Sequence, residues 1–439
     1  MKTSAARRIL ATVIAGGALA LTACGSGGNS ADAEAGDGAA QKPESITYWS
    51  MWNEDEPQQQ VIAQAIEGFE AGTGIKVNVE WQGRGVTQSL IPALNTNKVP
   101  DIADSPFLKL APVFAGSGQA ADLTAVYDSE VDGEAVKDLV GERNLIEGRT
   151  VVDGKPWLLP YTVSSDAIWF DAAAYPEFAS NPPQTWDEFA EALAQLKADG
   201  VAPLAQDGDI GGYNAAWFVT QYIRENGPGS FYSLVEDPSG AGWDAPEVLE
   251  AAKRVESLVT NGYFIDGYGA SKFPAQQQAW GAHKAALLFN GSWIPAETGT
   301  YVDEGFEFAS FPMPVNGDKH YARADYVGFV IPEKSANKEW AGQFAASVLQ
   351  KEYQDAAGVE AKVLPIRSDA EVSPTLQGIK DDIDAAEGLY QQLDGIMFPT
   401  YVDTVLFPSS NEFITGKLTA EEYIATLKAA TVDYWKNNS

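Results

Sequence analysis

Cysteine is almost missing from this chain: Cys24 is the only one in 439 residues. A lone cysteine makes no internal disulfide, so no bridge framework holds the fold. Histidine is nearly as scarce, with His283 and His320 far apart and in no H-x-x-x-H or cysteine-rich setting. That leaves little for a histidine-based metal centre or a Ser-His-Asp triad, and no G-x-S-x-G elbow accompanies them. Positive charge is short too, 29 Lys and Arg against 61 Asp and Glu, for a formal net charge of -32. Phosphate binding needs clustered basic side chains, which argues against nucleic acid as a partner. An anionic lipid surface would repel such a chain. Beyond residue 21 no segment approaches the roughly 18 uninterrupted apolar residues of a membrane span.

What is present begins with an export signal. Lys2, Arg7 and Arg8 precede an apolar run from Ile9 to Leu21, which fits a signal-peptide core and is short for a span. Cys24 closes this signal in Leu21-Thr22-Ala23-Cys24, which resembles the lipobox of bacterial lipoproteins. The expectation is a signal peptide over 1–23, lipidation at Cys24, and a small, polar, aperiodic linker over 24–44. Loss of the three basic residues would leave an acidic protein of charge -35, three below the -32 of the whole chain. The lipid would hold it at a membrane it would not bind by itself.

From Ile46 the pattern is that of a folded body, and its length leads to two lobes. ITYWS reads as a strand, Pro57 as the first turn of a helix carrying Val61, Ile62, Ala65, Ile66 and Phe69 on one face, and Gly72 and Gly74 as its end. IKVNVEW alternates as a half-buried strand. Strand, helix and strand make a βαβ unit with parallel strands. The residues after ITYWS therefore form the loop at a strand's carboxyl end, where open α/β sheets bind ligands. PDIAD is expected to contribute Asp104 and Ser105 to the same rim. GRTVVDGKPWLLPY carries a hairpin signal at Asp153-Gly154. It is also a near miss for a phosphate loop: Gly148 to Gly154 is one residue too long, and Pro156 stands where Ser or Thr is needed, so nucleotide binding is rejected. Further helices are expected from Thr185, in WFVTQYIRENG, APEVLEAAKRVESLVTNG and KEWAGQFAASVLQKEYQDAAG, and in the tail. Strands are expected in KAALLFNGSW, FEFASFPMP and YVGFVIP.

Several aromatics stand beside polar residues in loop or strand-end contexts: Trp49 and Trp52 before Asn53-Glu54, Asp166 near Trp169, Tyr213 and Asn214 near Trp217, and Asn290 and Ser292 beside Trp293. Sugars ask for this combination, because their C–H faces stack on rings while their hydroxyls need directed donors and acceptors. Trp169, Trp186 and Trp340 are assigned to the core. Two readings stay open beside a sugar binder: a glycan-acting enzyme using paired carboxylates, and a binder of another solute.

The order of motifs resembles, over nearly the whole mature length, the extracellular solute-binding proteins (family 1) of carbohydrate ABC importers, the class that includes maltodextrin-binding lipoproteins. ITYWSMW followed by FEAGTGIKVNVEW is similar to that family's opening, VPDIADS to its P-D-I/V strand, DGKPWLLPYTVSSDAIWFD with NPPQTWDEFAEAL to its crossover and following helix, AALLFNGSW to its N-G-x-W strand, and GFVIPEKSANKEWAGQFAASVLQKEYQ to the strand and helix after it. The resemblance implies an α/β, two-lobed, periplasmic-binding-protein-like fold of type II. Its discontinuous lobes, 45–160 plus 311–364 and 161–310 plus 365–439, would join at a hinge crossed near Pro160, Phe311 and Leu364. It implies a monomeric, non-enzymatic, cofactor-free protein that holds an oligosaccharide and delivers it to permease subunits, anchored outside the bacterial cell membrane. Carried over by motif, Trp52, Asn53, Glu54, Asp104, Ser105, Ser165, Asp166, Asn290 and Trp293 are the expected ligand contacts. Tyr213 and Trp217 join them less firmly aligned. Asp104 and Ser105 stand where maltodextrin binders carry an aromatic, against a maltose-type subsite. Arg84 and Arg367 are hydroxyl donors or surface ion-pair members.

Overall fold

The computed structural model describes residues 41–96, 98–146, 149–317, 319–396 and 398–438. The expected signal peptide, Cys24, most of the linker and Gly148 lie outside them. β1 (Ser45–Ser50) buries Ile46, Tyr48 and Ser50 on one face. α1 (Pro57–Thr73) follows, its proline supplying helical φ where the N–H has no helical partner. The helix buries the five predicted apolar residues and ends at Gly74, whose φ of +70° is the left-handed conformation of a helix C-cap. β2 (Lys76–Trp81) then pairs parallel to β1, as the βαβ pattern predicts.

The chain continues through β3 (Ile102–Pro106), α2 (Phe107–Phe114), β4 (Leu159–Ser164), β5 (Asp166–Asp171), β6 (Ala202–Ala205), α3 (Gly211–Asn226), β7 (Ala285–Gly291), α4 (Ile294–Thr298), β8 (Phe308–Phe311), β9 (Asp325–Val330) and β10 (Leu364–Pro365). Six strands form one sheet in the order β10-β4-β9-β3-β1-β2, and four form a second in the order β6-β7-β5-β8. β3 runs parallel to β1, while β9 is antiparallel to β3 and β4. Two apolar clusters form the core, the first reaching one face of the second sheet through Trp169 and Leu288. Tyr48, Phe69, Phe329 and Phe344 pack in the first, and Trp217, Phe289, Phe311 and Tyr423 lie in the second. The fold is two-lobed α/β.

Ser165 alone separates β4 of the first sheet from β5 of the second. The first passage between sheets, expected near Pro160, therefore falls at Ser165, because Pro160 lies inside β4 and pairs with Gly328. A second runs from β8 to β9 and carries Arg323, and after β10 the chain returns to the second cluster, where Tyr390, Tyr401 and Tyr423 pack. KEWAGQFAASVLQKEYQDAAG, expected as one helix, forms two, Lys338–Ser347 and Lys351–Val359. Gln350 between them is extended, and Gln354 donates back to the Val348 carbonyl at 3.1 Å. The expected cap at Thr185 is a full capping box with Glu188, worth about 1 kcal/mol. Trp169 and Trp186 are buried, and Trp340 is partly so.

Candidate ligand-binding site

A cleft of about 700 Å³ opens at the carboxyl ends of β1 and β3, between the two lobes. Met51, Trp52, Glu56, Arg84, Phe107 and Lys109 line it from the first lobe, and Tyr213, Ser292, Trp293 and Glu297 from the second. Thr162, Ser164, Arg323, Asp325 and Gln392 line it where the chain passes between sheets. A small recess beside it is lined by Asp166, Asn290, Tyr213, Trp293 and Arg323 among others.

The predicted residues divide three ways. Trp52, Arg84, Tyr213 and Trp293 come together on the cleft, and Asp166 and Asn290 on its recess. Trp293 stands two residues past Gly291, the last residue of β7, where a Cβ would lie only 2.2 Å from the indole ring. The absence of a side chain there lets the ring lie across the strand end. Tyr213, expected in a loop or strand-end context, sits instead in the first turn of α3. Its hydroxyl lies beside Trp293 and Asn290, and burial together with the Glu297 charge raises its pKa.

Asn53, Glu54, Asp104, Ser105 and Ser165 lie near the cleft without lining it. Asn53 and Glu54 are exposed, and Asn53 donates its backbone and side-chain N–H to Glu56 at 3.0 and 2.9 Å. Asp104 and Ser105, expected on a rim loop, are inside β3 and buried. Asp104 accepts from the Met51 N–H at 2.7 Å and the Tyr161 hydroxyl at 2.5 Å, and Tyr161 accepts from Trp52 Nε1 at 2.8 Å. The aspartate therefore anchors the cleft loop from beneath. Burial pushes its pKa up to about 6 against the opposing pull of these hydrogen bonds. Ser165 is fully buried, its carbonyl accepting from Ser292 N–H at 2.9 Å.

Trp217 is a correction, and Arg367 takes the second of its two expected roles, as an ion-pair member, but buried rather than at the surface. Trp217 is fully buried against Phe264 and Phe289, its Nε1 donating to Gln206 at 2.9 Å, because its helical position faces the second sheet. Arg367 is buried away from the cleft, paired with Asp369 at 2.9 Å and Asp132 at 2.6 Å. Its guanidinium is committed to structure.

Sequence reasoning missed Glu56, Lys109, Tyr161, Glu297, Arg323 and Asp325. Arg323 donates to Asp166 at 3.2 Å and pairs with Asp325 at 2.5 Å. Burial raises the Asp166 pKa despite that neighbour. Glu56 is pulled the other way: partial burial opposes ionisation, but bonds from Asn53 and Arg84 hold its carboxyl below the usual range. The Glu297 carboxyl is raised by desolvation, and among the described residues no cation lies within 4 Å of it. The single usable signal was the placement of Glu56 one turn beyond a strand end. Nothing local marks Arg323 or Glu297.

The model of the bacterial extracellular solute-binding protein family matches residues 53–355, more than half of the chain. The chain belongs to that family. Among relatives of this solute-binding protein, a diacetylchitobiose-binding protein of Streptomyces coelicolor is 24% identical over 186 residues, 41% of this chain and 39% of the relative. A probable sugar-binding periplasmic protein of Mesorhizobium japonicum is 24% identical over 334 residues, 73% of this chain and 77% of the relative. The chain thus spans about two fifths of the first relative's length. Among solved structures, the solute receptor AcbH, described as having an exclusive preference for β-D-galactopyranose, superposes with a TM-score of 0.75 at 18% identity over 90% of this chain and 99% of that one. A chitin oligosaccharide binding protein does so with a TM-score of 0.67 at 20% identity, covering 89% and 98%. At these identities the likeness establishes the fold. No helix among the described residues is long and apolar enough to cross a membrane.

Proposed function

We propose that this solute-binding protein captures a neutral carbohydrate, an oligosaccharide by the size of the cleft, between its lobes and delivers it to the permease of an ABC importer. The observation that carries this reading is the charge balance of the cleft. In a chain of net charge -32, the lining holds three acids, Glu56, Glu297 and Asp325, against three bases, Arg84, Lys109 and Arg323. A cleft matched in this way favours an uncharged solute rich in hydroxyls, and the half-buried rings of Tyr213 and Trp293 supply stacking faces. Contacts from both lobes would favour closure, the state a permease can distinguish from the empty one. The relatives' sugar ligands support the same chemistry. Lipidation at Cys24 would keep the protein, as a monomer, at the outer face of the cell membrane.

The carboxylates support binding over hydrolysis. Glu56 and Asp325 are held by Arg84 and Arg323, which leaves Glu297 as the lining acid without a cation. A glycosidase needs two such groups, one kept protonated and one free to attack or to activate water.

Intrinsic tryptophan fluorescence of the full-length protein, titrated with neutral mono- to tetrasaccharides of varied linkage, tests the reading. Saturable quenching or enhancement without product release is expected. Trp293→Ala should weaken the affinity at least about tenfold, the loss of one ring-stacking contact. A flat response across the neutral panel, with binding of a charged solute instead, would overturn it.

A further inference from the structure

We propose that Glu56 is a positioning residue: it holds the Arg84 guanidinium over Trp52, so that the first lobe offers a sugar the guanidinium rather than the indole face. The inference rests on the carbohydrate reading of the cleft and names the chemistry of one wall.

Trp52 lines the cleft and yet is only 7% exposed. Its Nε1 is tied down behind to Tyr161, and in front the Arg84 guanidinium carbon stands 4.8 Å from the ring centroid. The cation therefore covers the face on which a sugar ring would stack. Arg84 is fixed there by three bonds: Nη1 donates to the Met51 carbonyl at 2.7 Å and to Glu56 at 3.0 Å, and Nη2 donates to the other Glu56 oxygen at 3.1 Å. A guanidinium has five N–H groups. Nε–H and one Nη2–H remain for neighbouring hydroxyls of a ligand.

The Glu56 carboxylate is itself fixed, since Asn53 donates to both of its oxygens. Asn53 is located in turn by Gly83, whose φ is +65° and where a Cβ would stand 2.3 Å from Asn53 Oδ1. The run Gly83, Asn53, Glu56, Arg84 and Trp52 is a built support that ends on a side chain with unused donors in the cleft. Stability does not account for it: the pair is half open to solvent, with side-chain exposures of 56% and 26%, and such pairs contribute little to folding. Planar bidentate pairing instead fixes orientation, which Lys in place of Arg84 would not reproduce.

Two measurements on the full-length protein test this. In the ligand-free protein, Glu56→Ala should release Arg84 and raise acrylamide quenching of tryptophan. The increment should vanish in a Trp52→Phe background. With the tightest-binding sugar of the neutral panel, Glu56→Ala should raise Kd about tenfold, and Glu56→Ala combined with Arg84→Ala should be no weaker than Arg84→Ala alone. Glu56→Gln, which keeps the side chain's shape, guards against local unfolding of the loop and should fall between wild type and Glu56→Ala. Unchanged quenching in Glu56→Ala, additive losses in the double variant, or tighter sugar binding by Arg84→Ala through an uncovered indole would each overturn the proposal. If no sugar binds the wild type, the carbohydrate reading fails separately, and the quenching comparison still decides whether Glu56 holds Arg84.

Discussion

Asp104 carries a cost that the cleft loop uses. Its carboxyl is sealed beneath Met51 and Trp52, with a pKa raised from 3.8 to about 6. A carboxyl that binds its proton more tightly in the folded chain stabilises the fold below the unfolded pKa. That contribution is lost as pH rises through the folded one. A shift of this size corresponds to about 3 kcal/mol. Denaturant melts from pH 4 to pH 7 should show wild type losing about that much stability relative to Asp104→Asn, with most of the change complete by about pH 6.5. Parallel profiles would mean that the carboxyl titrates as it does in the unfolded chain. The same residue shows where sequence reading stops. Asp104, Trp217 and Arg367 belong to the residue types a sugar site needs, and Trp217 has Tyr213 and Asn214 just before it. All three are buried. Whether an aspartate faces a ligand or props a loop depends on which side of a strand it occupies in three dimensions, and polar neighbours in sequence do not report it.

At the scale of elements the legibility is better, because periodicity is a property of the segment itself. The βαβ opening, the Asp153-Gly154 hairpin, the Thr185 cap and the strand running into NGSW all occur as their patterns predict. The turn from β7 into α4 also explains its glycine. Trp293 is the N-terminal flank of α4, and its ring occupies the space that a Gly291 side chain would need. Gly291→Ala should therefore displace the ring while leaving β7, buried along its whole length, able to form. The expected result is sugar affinity lowered about tenfold, comparable to Trp293→Ala, with a far-ultraviolet circular dichroism spectrum like that of wild type. Wild-type affinity in Gly291→Ala would show that the ring's present position is not the one that binds. Strand order across the sheets was less legible. β9 and β10 join a sheet begun more than two hundred residues earlier, and local pattern carries no address for such pairing.

For the whole molecule the decisive group is Arg323, which no motif singled out. It lies on the second passage between sheets, bonds to Asp166 at the start of β5, and pairs with Asp325 at the start of β9. Two of the passages joining the lobes thus meet at one guanidinium. Thr220 of α3 donates to the same Asp166 oxygen at 3.2 Å, and the Gln392 N–H to Asp325 at 2.6 Å. Side-chain exposure is 6% for Arg323 and 5% for Asp166, so the cluster has lost most of its water. Removing the guanidinium leaves Asp166 and Asp325 without their shared partner, a loss of about 3–5 kcal/mol for a buried pair. Arg323→Met should therefore lower unfolding free energy by roughly that amount. Adding Asp166→Asn should recover part of it, because the amide no longer needs a counter-charge. Chemical denaturation of wild type, the single variants and the double variant forms a thermodynamic cycle. A coupling near zero would mean that Arg323 contributes by packing alone. A large coupling with a single unfolding transition would show that the electrostatic cluster helps bind the two lobes into one cooperative unit.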